Sequence, residues 1–261
     1  MLELEDCLSA ASAFADESRA MLRAAASETR STEIKPDRTF VTATDRAIEL
    51  RLRERIADRF PQHGIWGEEF GREQPGADWQ WILDPIDGTA QFIAGIPVYA
   101  TLIALARGGV PVLGVMDFPA IGERWIGCEG HATTCNGTPC RTSGTLTLGN
   151  AITSTSSPDF YVEAERPVLE ALRQTTRWRI YGGAALSYGR LAAGRTDLAC
   201  DSSFQVYDFA PFRPIIEGAG GVVTDWEGRG LSLGSGSRVL AAATPELHGE
   251  ALLLLGKSQR I

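Results

Sequence analysis

No stretch of this 261-residue chain reaches the roughly 18 consecutive apolar residues that a membrane-spanning helix needs. The opening residues, MLELEDCLSA, are acidic where a secretory leader is basic. A soluble, cytoplasmic protein without a membrane partner is expected. Basic runs are missing too, and the formal net charge is −8, so nucleic acid is not the expected partner. Histidine is scarce, with only His63, His131 and His248. None of them lies in the motifs described below, which argues against zinc, a di-iron centre and a histidine-based nucleophilic triad. The cysteines (Cys7, Cys128, Cys135, Cys140 and Cys200) are odd in number and scattered, which suits reduced thiols and not a disulfide framework. Cys135 and Cys140 bracket an Asn-Gly turn but lack the second Cys or His pair of a tetrahedral zinc site.

Hydrophobic residues make up 44% of the chain, enough for a sizeable core in one large domain or two tightly packed halves. Apolar side chains at Leu4, Leu8, Ala11, Ala15, Leu22 and Ala25 have helical spacing and predict a first helix over 4–26. A second is predicted from about Asp45 to Phe60, capped by Thr42 or Thr44 and ended by Pro61. The run Trp79 to Leu83 reads as a strand that stops at Asp84-Pro85 and delivers a tight turn. Segments 101–106, 112–118 and 123–128 alternate with turn signals, as in an antiparallel meander. Beyond about residue 147 the pattern changes. Strands are predicted at 152–156, 178–182, 196–200, 221–225 and 238–244. Between and after them come helices at 166–176, 184–193 and 208–218, and a last one opening at Thr244-Pro245. This divides the chain into an α+β half, 1–147, and an α/β half, 148–261. Pro214 conflicts with the helix over 208–218, where it should remove an internal hydrogen bond and kink it at a cost of about 3 kcal/mol.

The strongest local signal is Asp84-Pro85-Ile86-Asp87-Gly88-Thr89. Two carboxylates three residues apart can face one point, Gly88 lets a ligand approach the backbone, and a helix opening at Thr89 would offer N–H groups to a phosphate. Read alone, the segment is as readily an ordinary turn. Glu68 and Glu69 alone read equally as a solvated pair, Asp45 as a first-turn acid, and Asp208 as a helix cap. The set carries more than its members. Two carboxylates about 5 Å apart repel by about 3 kcal/mol at an effective dielectric near 20. Packed together they need a cation, and all-oxygen ligands select Mg²⁺ or Mn²⁺ and admit Ca²⁺.

Taken together, Gly67-Glu68-Glu69, Asp84 through Thr89, Tyr207-Asp208 and Glu217-Gly218-Ala219-Gly220-Gly221 resemble, in order, the signatures of the inositol monophosphatase-like superfamily. Lys35 with Val41-Thr42-Ala43-Thr44-Asp45 is similar to its N-terminal element. The resemblance implies a layered αβαβα sandwich, a homodimer, and a Mg²⁺-dependent phosphomonoesterase using two or three ions. By the same resemblance Glu68, Asp84, Asp87 and Asp208, with the Ile86 carbonyl, would be metal ligands. Asp45 would reach a third metal through water and, with Thr89, activate the attacking water; Glu68 is counted with them as catalytic. The amides of Gly88 and Thr89 would hold phosphate oxygens, Gly183 and Ala184 would line the pocket, and Asp201 would meet the rest of the substrate. Asp87 and Asp208 would also face that substrate, a small-molecule phosphate ester.

Within the superfamily, Val112 through Val115, Gly122 through Gly127 and Thr224-Asp225-Trp226 resemble the bacterial histidinol-phosphatase branch. The resemblance departs from the common pattern at Tyr207, where many members carry Trp, and at Gln91, where Asn is frequent. Asp201 is shorter than the Glu usual in inositol phosphatases, and a carboxylate there would suit the amine of histidinol phosphate. The alternatives are a phosphatase for inositol phosphate, another sugar phosphate or a nucleotide, and a regulatory or RNA-associated protein that keeps the fold.

Overall fold

The computed structural model describes residues 2–26, 32–34 and 40–258. Lys35 lies outside the described residues. The first half runs α1 (Leu2–Ala25), β1 (Thr32–Ile34), β2 (Phe40–Thr42), α2 (Ala43–Arg59), β3 (Gly64–Gly67), β4 (Gly71–Glu73), β5 (Trp79–Asp87), α3 (Thr89–Ala94), β6 (Ala100–Arg107), β7 (Val110–Phe118), β8 (Glu123–Cys128), β9 (Thr134–Cys135) and β10 (Thr138–Pro139). The second runs β11 (Ile152–Thr155), α4 (Arg166–Thr175), β12 (Trp178–Tyr181), α5 (Leu186–Ala192), β13 (Leu198–Asp201), α6 (Val206–Phe209), α7 (Phe212–Gly218), β14 (Val222–Thr224), β15 (Val239–Ala242) and α8 (Pro245–Ser258).

Two sheets result. The larger has the order β10-β9-β8-β7-β6-β5-β3-β4 and is antiparallel except where β3 meets β5. The smaller has the order β12-β11-β13-β15-β14, with β11 parallel to both its neighbours and β15 antiparallel to its own. Strand periodicity sorts the side chains into layers. On the large sheet, Trp81, Leu83, Ile103 and Leu105 face α1 and α2, packing with Phe14, Ile48 and Leu52. Their neighbours Ile82, Leu102 and Ala104 face the other way, toward Tyr188 of α5, Phe209 of α6 and Phe212 and Ile215 of α7. Ala199, Val239 and Ala241 of the small sheet close the same cluster from its far side. The alternate residues Leu198, Cys200, Leu240 and Ala242 bury against Leu169 and Leu172 of α4 and Ala251 and Leu255 of α8. The molecule is thus the five-layer αβαβα sandwich the resemblance implies. Among the described residues no helix is long and apolar enough to cross a membrane.

Three elements differ from expectation. The predicted helix over 208–218 is two, α6 and α7, broken at Ala210-Pro211. The break puts Pro214 in the first turn of α7, where no intrahelical N–H bond is lost, so the conflict disappears. Gly114 and Gly127 let α7 lie on the sheet: a Cβ on either would come within 2.4 Å of the Pro211 or Pro214 carbonyl oxygen. Helix α5 begins at Leu186, leaving Gly183 to Ala185 as a turn. Strand β5 does not stop at Leu83 but continues to Asp87, with the ladder to β6 slipping between Asp84 and Asp87.

Helix α1 is tied to the large sheet by a buried acid. Asp117 of β7, wholly enclosed, accepts from Arg19 Nη2 at 2.6 Å and Nε at 3.0 Å, and from Arg124 Nε. Asp117→Ala removes the carboxylate that Arg19 pairs with and leaves Arg124 only Asp16 and the Ser12 carbonyl, and a loss of roughly 3 kcal/mol is expected. Urea denaturation checks it; a change of a few tenths would remove Asp117 as the anchor of α1.

Candidate metal centre

The bulge at the end of β5 builds the centre of the site. Asp84 pairs with Leu102 and Asp87 with Ala100, so Pro85 and Ile86 form the irregular step between them. A proline is tolerated there because a bulge leaves an N–H unused. The step is pinned by Thr101, whose hydroxyl donates to the Pro85 carbonyl at 2.9 Å. Across the opening, α6 starts with a capping arrangement in which Asp208 Oδ2 accepts from the Gln205 N–H at 2.6 Å. Carboxylate oxygens of Asp84, Asp87 and Asp208 lie within 4.8 Å of one another.

The electrostatics of this group are unfavourable for the bare chain. Asp84 is buried, and among the described residues its Oδ1 has no hydrogen-bond partner. Burial raises its pKa well above the ordinary carboxylate range, and the charges of Glu68, Asp87, Asp208 and Asp45 raise it further. Asp87 is pushed up to about 6, first by burial and then by Asp201, against the lowering effect of the Ala185 N–H. That N–H donates to Asp87 Oδ2 at 2.9 Å from the turn ahead of α5. A buried, partnerless carboxylate oxygen among like charges, with only oxygen donors around it, fits a hard divalent cation such as Mg²⁺.

Asp45 approaches from the first turn of α2. Its Oδ2 accepts from the Thr42 N–H at 2.8 Å and from the Thr42 hydroxyl, closing a capping box. Its Oδ1 is 3.4 Å from the Thr89 hydroxyl, which also reaches the Ile86 carbonyl at 3.0 Å. Burial raises the Asp45 pKa, the Thr42 hydrogen bonds oppose this, and Glu69 adds to the rise. Gly88, at φ +77°, turns the chain from β5 into α3. Ala184 adopts φ +44°, and a Cβ on Gly183 would fall 2.3 Å from Ser187 Oγ. This tight turn presents the Ala185 amide to Asp87, an interaction no sequence pattern announces.

Asp201 is placed otherwise than expected. It is fully buried. Its Oδ1 accepts from Thr155 Oγ1 at 2.8 Å and Ser156 N at 2.6 Å, and its Oδ2 accepts from Tyr188 Oη at 2.9 Å. Arranged this way it offers no oxygen to a substrate amine and instead ties β13 to the end of β11 and to α5. The sequence reading also passed over Glu49 and Arg53, whose spacing of four marks a helical ion pair but not its burial.

The raised pKa values carry a sign. A carboxyl whose folded pKa exceeds its unfolded one makes the folded state hold more protons. Its stabilising contribution is then lost as pH rises from the ordinary 3.8 to the folded value, about 6 for Asp87. In EDTA-treated protein, the thermal midpoint should carry a component that falls between about pH 4 and pH 6 and that Asp87→Asn removes. Mg²⁺ should raise the midpoint more at about pH 7.5 than at about pH 5. Identical pH profiles for wild type and variant would refute this.

The chain matches the model of the inositol monophosphatase family over residues 3–260. It is 38% identical over 227 residues to the bifunctional phosphatase IMPL2, chloroplastic, of Arabidopsis thaliana, covering 84% of this chain and 66% of that protein. It is 38% identical over 233 residues to the histidinol-phosphatase of Mycobacterium tuberculosis, covering 85% of this chain and 87% of the relative. The solved inositol monophosphatase from Zymomonas mobilis superposes with a TM-score of 0.88 at 33% identity, over 97% of this chain and 98% of that one. With the family pattern present from one end to the other and the acidic cluster in its fold, the chain belongs to the inositol monophosphatase family and is a metal-dependent phosphoric monoester hydrolase.

Proposed function

We propose that the substrate is histidinol phosphate, hydrolysed to histidinol and inorganic phosphate. The observation that carries this reading is the 38% identity to a histidinol-phosphatase along 87% of that enzyme's length. Asp201, enclosed as it is, lends it no support. The competing substrate is an inositol phosphate, favoured by the likeness to the Zymomonas structure.

Glu68, Asp84, Asp87 and Asp208, with the Ile86 carbonyl, are the proposed holders of two or three Mg²⁺ ions. Mn²⁺ suits the same oxygens, and Asp45 would reach a further ion through water. When bound, these cations supply Lewis acidity that lowers the pKa of water and offsets charge on the phosphate and leaving group. The chain's own part is orientation and proton handling. The Thr89 hydroxyl, between Asp45 Oδ1 and the Ile86 carbonyl, takes the proton of the attacking water and passes its own to Asp45. Burial favours the protonated form of Asp45, so the acceptor is suited to keep it. The amides of Gly88, which caps α3, and of Thr89, its first residue, face the phosphate oxygens in this reading. Gly183 and Ala184 form one wall of the pocket, and Asp201 stiffens the structure behind it. Attack on phosphorus is in line, with positioning and electrostatics as the protein's contribution.

Asp84→Asn should keep the fold and lose at least about 100-fold in turnover at fixed Mg²⁺, since disturbing even an outer-shell partner of a metal ligand costs up to that much. Near-wild-type turnover by the folded variant would refute this centre. Assayed side by side with Mg²⁺, histidinol phosphate should exceed inositol 1-phosphate in kcat/KM, and the reverse order would transfer the assignment to inositol phosphate.

The chain is also proposed to act as a homodimer. Strand β12 ends the small sheet and exposes Trp178, Ile180 and Tyr181. Light scattering should give twice the chain mass, and Trp178→Asp should shift it toward the monomer. A wild-type monomer at micromolar concentration would exclude the dimer.

A further inference from the structure

Helix α2 carries two fully buried acids one turn apart, Asp45 and Glu49. Asp45 belongs to the acidic cluster, whereas Glu49 points at the chain that bears Glu68. Glu49 Oε2 accepts from the Glu69 N–H at 2.7 Å, and Oε1 accepts from the Phe70 N–H at 3.1 Å. These are the two residues after Glu68. Oε1 also accepts from Arg53 Nε at 2.8 Å, one helical turn further on. Arg53 is buried in its turn, and its Nη2 donates to the Gly71 carbonyl. The fit leaves no room at Gly67, where a Cβ would lie 1.9 Å from Glu49 Oε1. From the opposite side the Glu68 N–H donates to the Leu83 carbonyl at 3.1 Å, next to Asp84 on β5.

Residues 67–71 are therefore gripped between α2 and β5 by their backbone, which holds Glu68 near enough to the cluster for its charge to act on Asp84. Its charge is the foremost of those acting on Asp84. Stability alone does not explain an ion pair here. An apolar pair of similar volume is commonly as stable as a buried ion pair, or more so. Such a pair could not accept two N–H groups from the Glu68 turn.

We propose that Glu49, backed by Arg53, is a positioning residue that sets the turn 67–71 and so aims Glu68 at the cation site. The proposal rests on the reading of Glu68 as a metal ligand, and the test separates the two. Mg²⁺ titrations followed by calorimetry on metal-free protein would compare Glu49→Gln, the charge-free double variant Glu49→Leu/Arg53→Met, Glu68→Gln and, as a stability control, Asp117→Asn. Hydrogen exchange at the Glu69 and Phe70 amides would be followed in the same samples.

Glu49→Gln is expected to weaken Mg²⁺ binding on the order of tenfold, in the range found for outer-shell partners, and to speed exchange at both amides. The double variant should do the same, and it serves where Glu49→Gln does not fold because it leaves no charge buried alone. Asp117→Asn should lower the thermal midpoint and leave Mg²⁺ affinity unchanged. Wild-type Mg²⁺ affinity in the folded Glu49 variants, with Glu68→Gln impaired, would overturn the positioning role. Wild-type affinity in Glu68→Gln would instead remove Glu68 from the ligand set.

Discussion

Repulsion among carboxylates crowded around one buried member, Asp84, is the constraint around which the rest of this molecule is arranged. Asp84 is buried and raised in pKa by four other acids at once. Left to themselves such groups protonate or splay apart. Here they do not splay, because each is fixed by a rigid element: Asp84 and Asp87 by β5, Asp208 by the capped start of α6, Asp45 by the capped start of α2. The stabilisation that holds them comes from the packed layers on both faces of the large sheet, where Trp81, Ile82 and Leu83 lie just ahead of Asp84 and are buried in alternating directions.

The same local contacts serve folding and chemistry. Thr42 and Asp45 form a capping box worth about 1 kcal/mol to a helix start. That box occupies one oxygen of Asp45 and turns the other toward Thr89. The Asp208 cap on the Gln205 amide similarly fixes a carboxylate that faces Asp84 and Asp87. A helix cap is economical for this purpose, since the N–H groups it satisfies must be satisfied in any case.

Much of this was legible in the residues. The helical stripe of α1 and the meander of β6, β7 and β8 follow from periodicity, and a threonine cap at Thr42 or Thr44 is expected because hydroxyls accept from first-turn amides, Thr42 being the one in place. What was not legible depended on partners distant in the chain. Asp84 to Asp87 has the composition of a turn, yet pairing with β6 holds it as a bulged strand. Pro214 is a breaker in one long helix and harmless in a helix that restarts at Phe212, and the restart is set by the fit of α7 onto Gly114 and Gly127. Asp201 reads as a free acid near the site until β11 and Tyr188 enclose it. Glu49 resembles any exposed helical acid until the Glu69 and Phe70 amides arrive from the next loop.

Function and stability are therefore not separable in this fold. Asp84, buried, and Glu68, Asp87 and Asp208, half-buried beside it, would each be accommodated more easily as an amide or an apolar residue, and the bare chain bears that cost wherever they are ionised. A cation that binds only the folded state returns part of it, about 2.7 kcal/mol when present at 100 times its dissociation constant. This is a large share of the 5–15 kcal/mol by which domains are ordinarily stable. Free Mg²⁺ would then set both the turnover of the enzyme and the folded fraction of the chain, through the same oxygens, and a substitution that relieves the repulsion would gain stability by giving up the site.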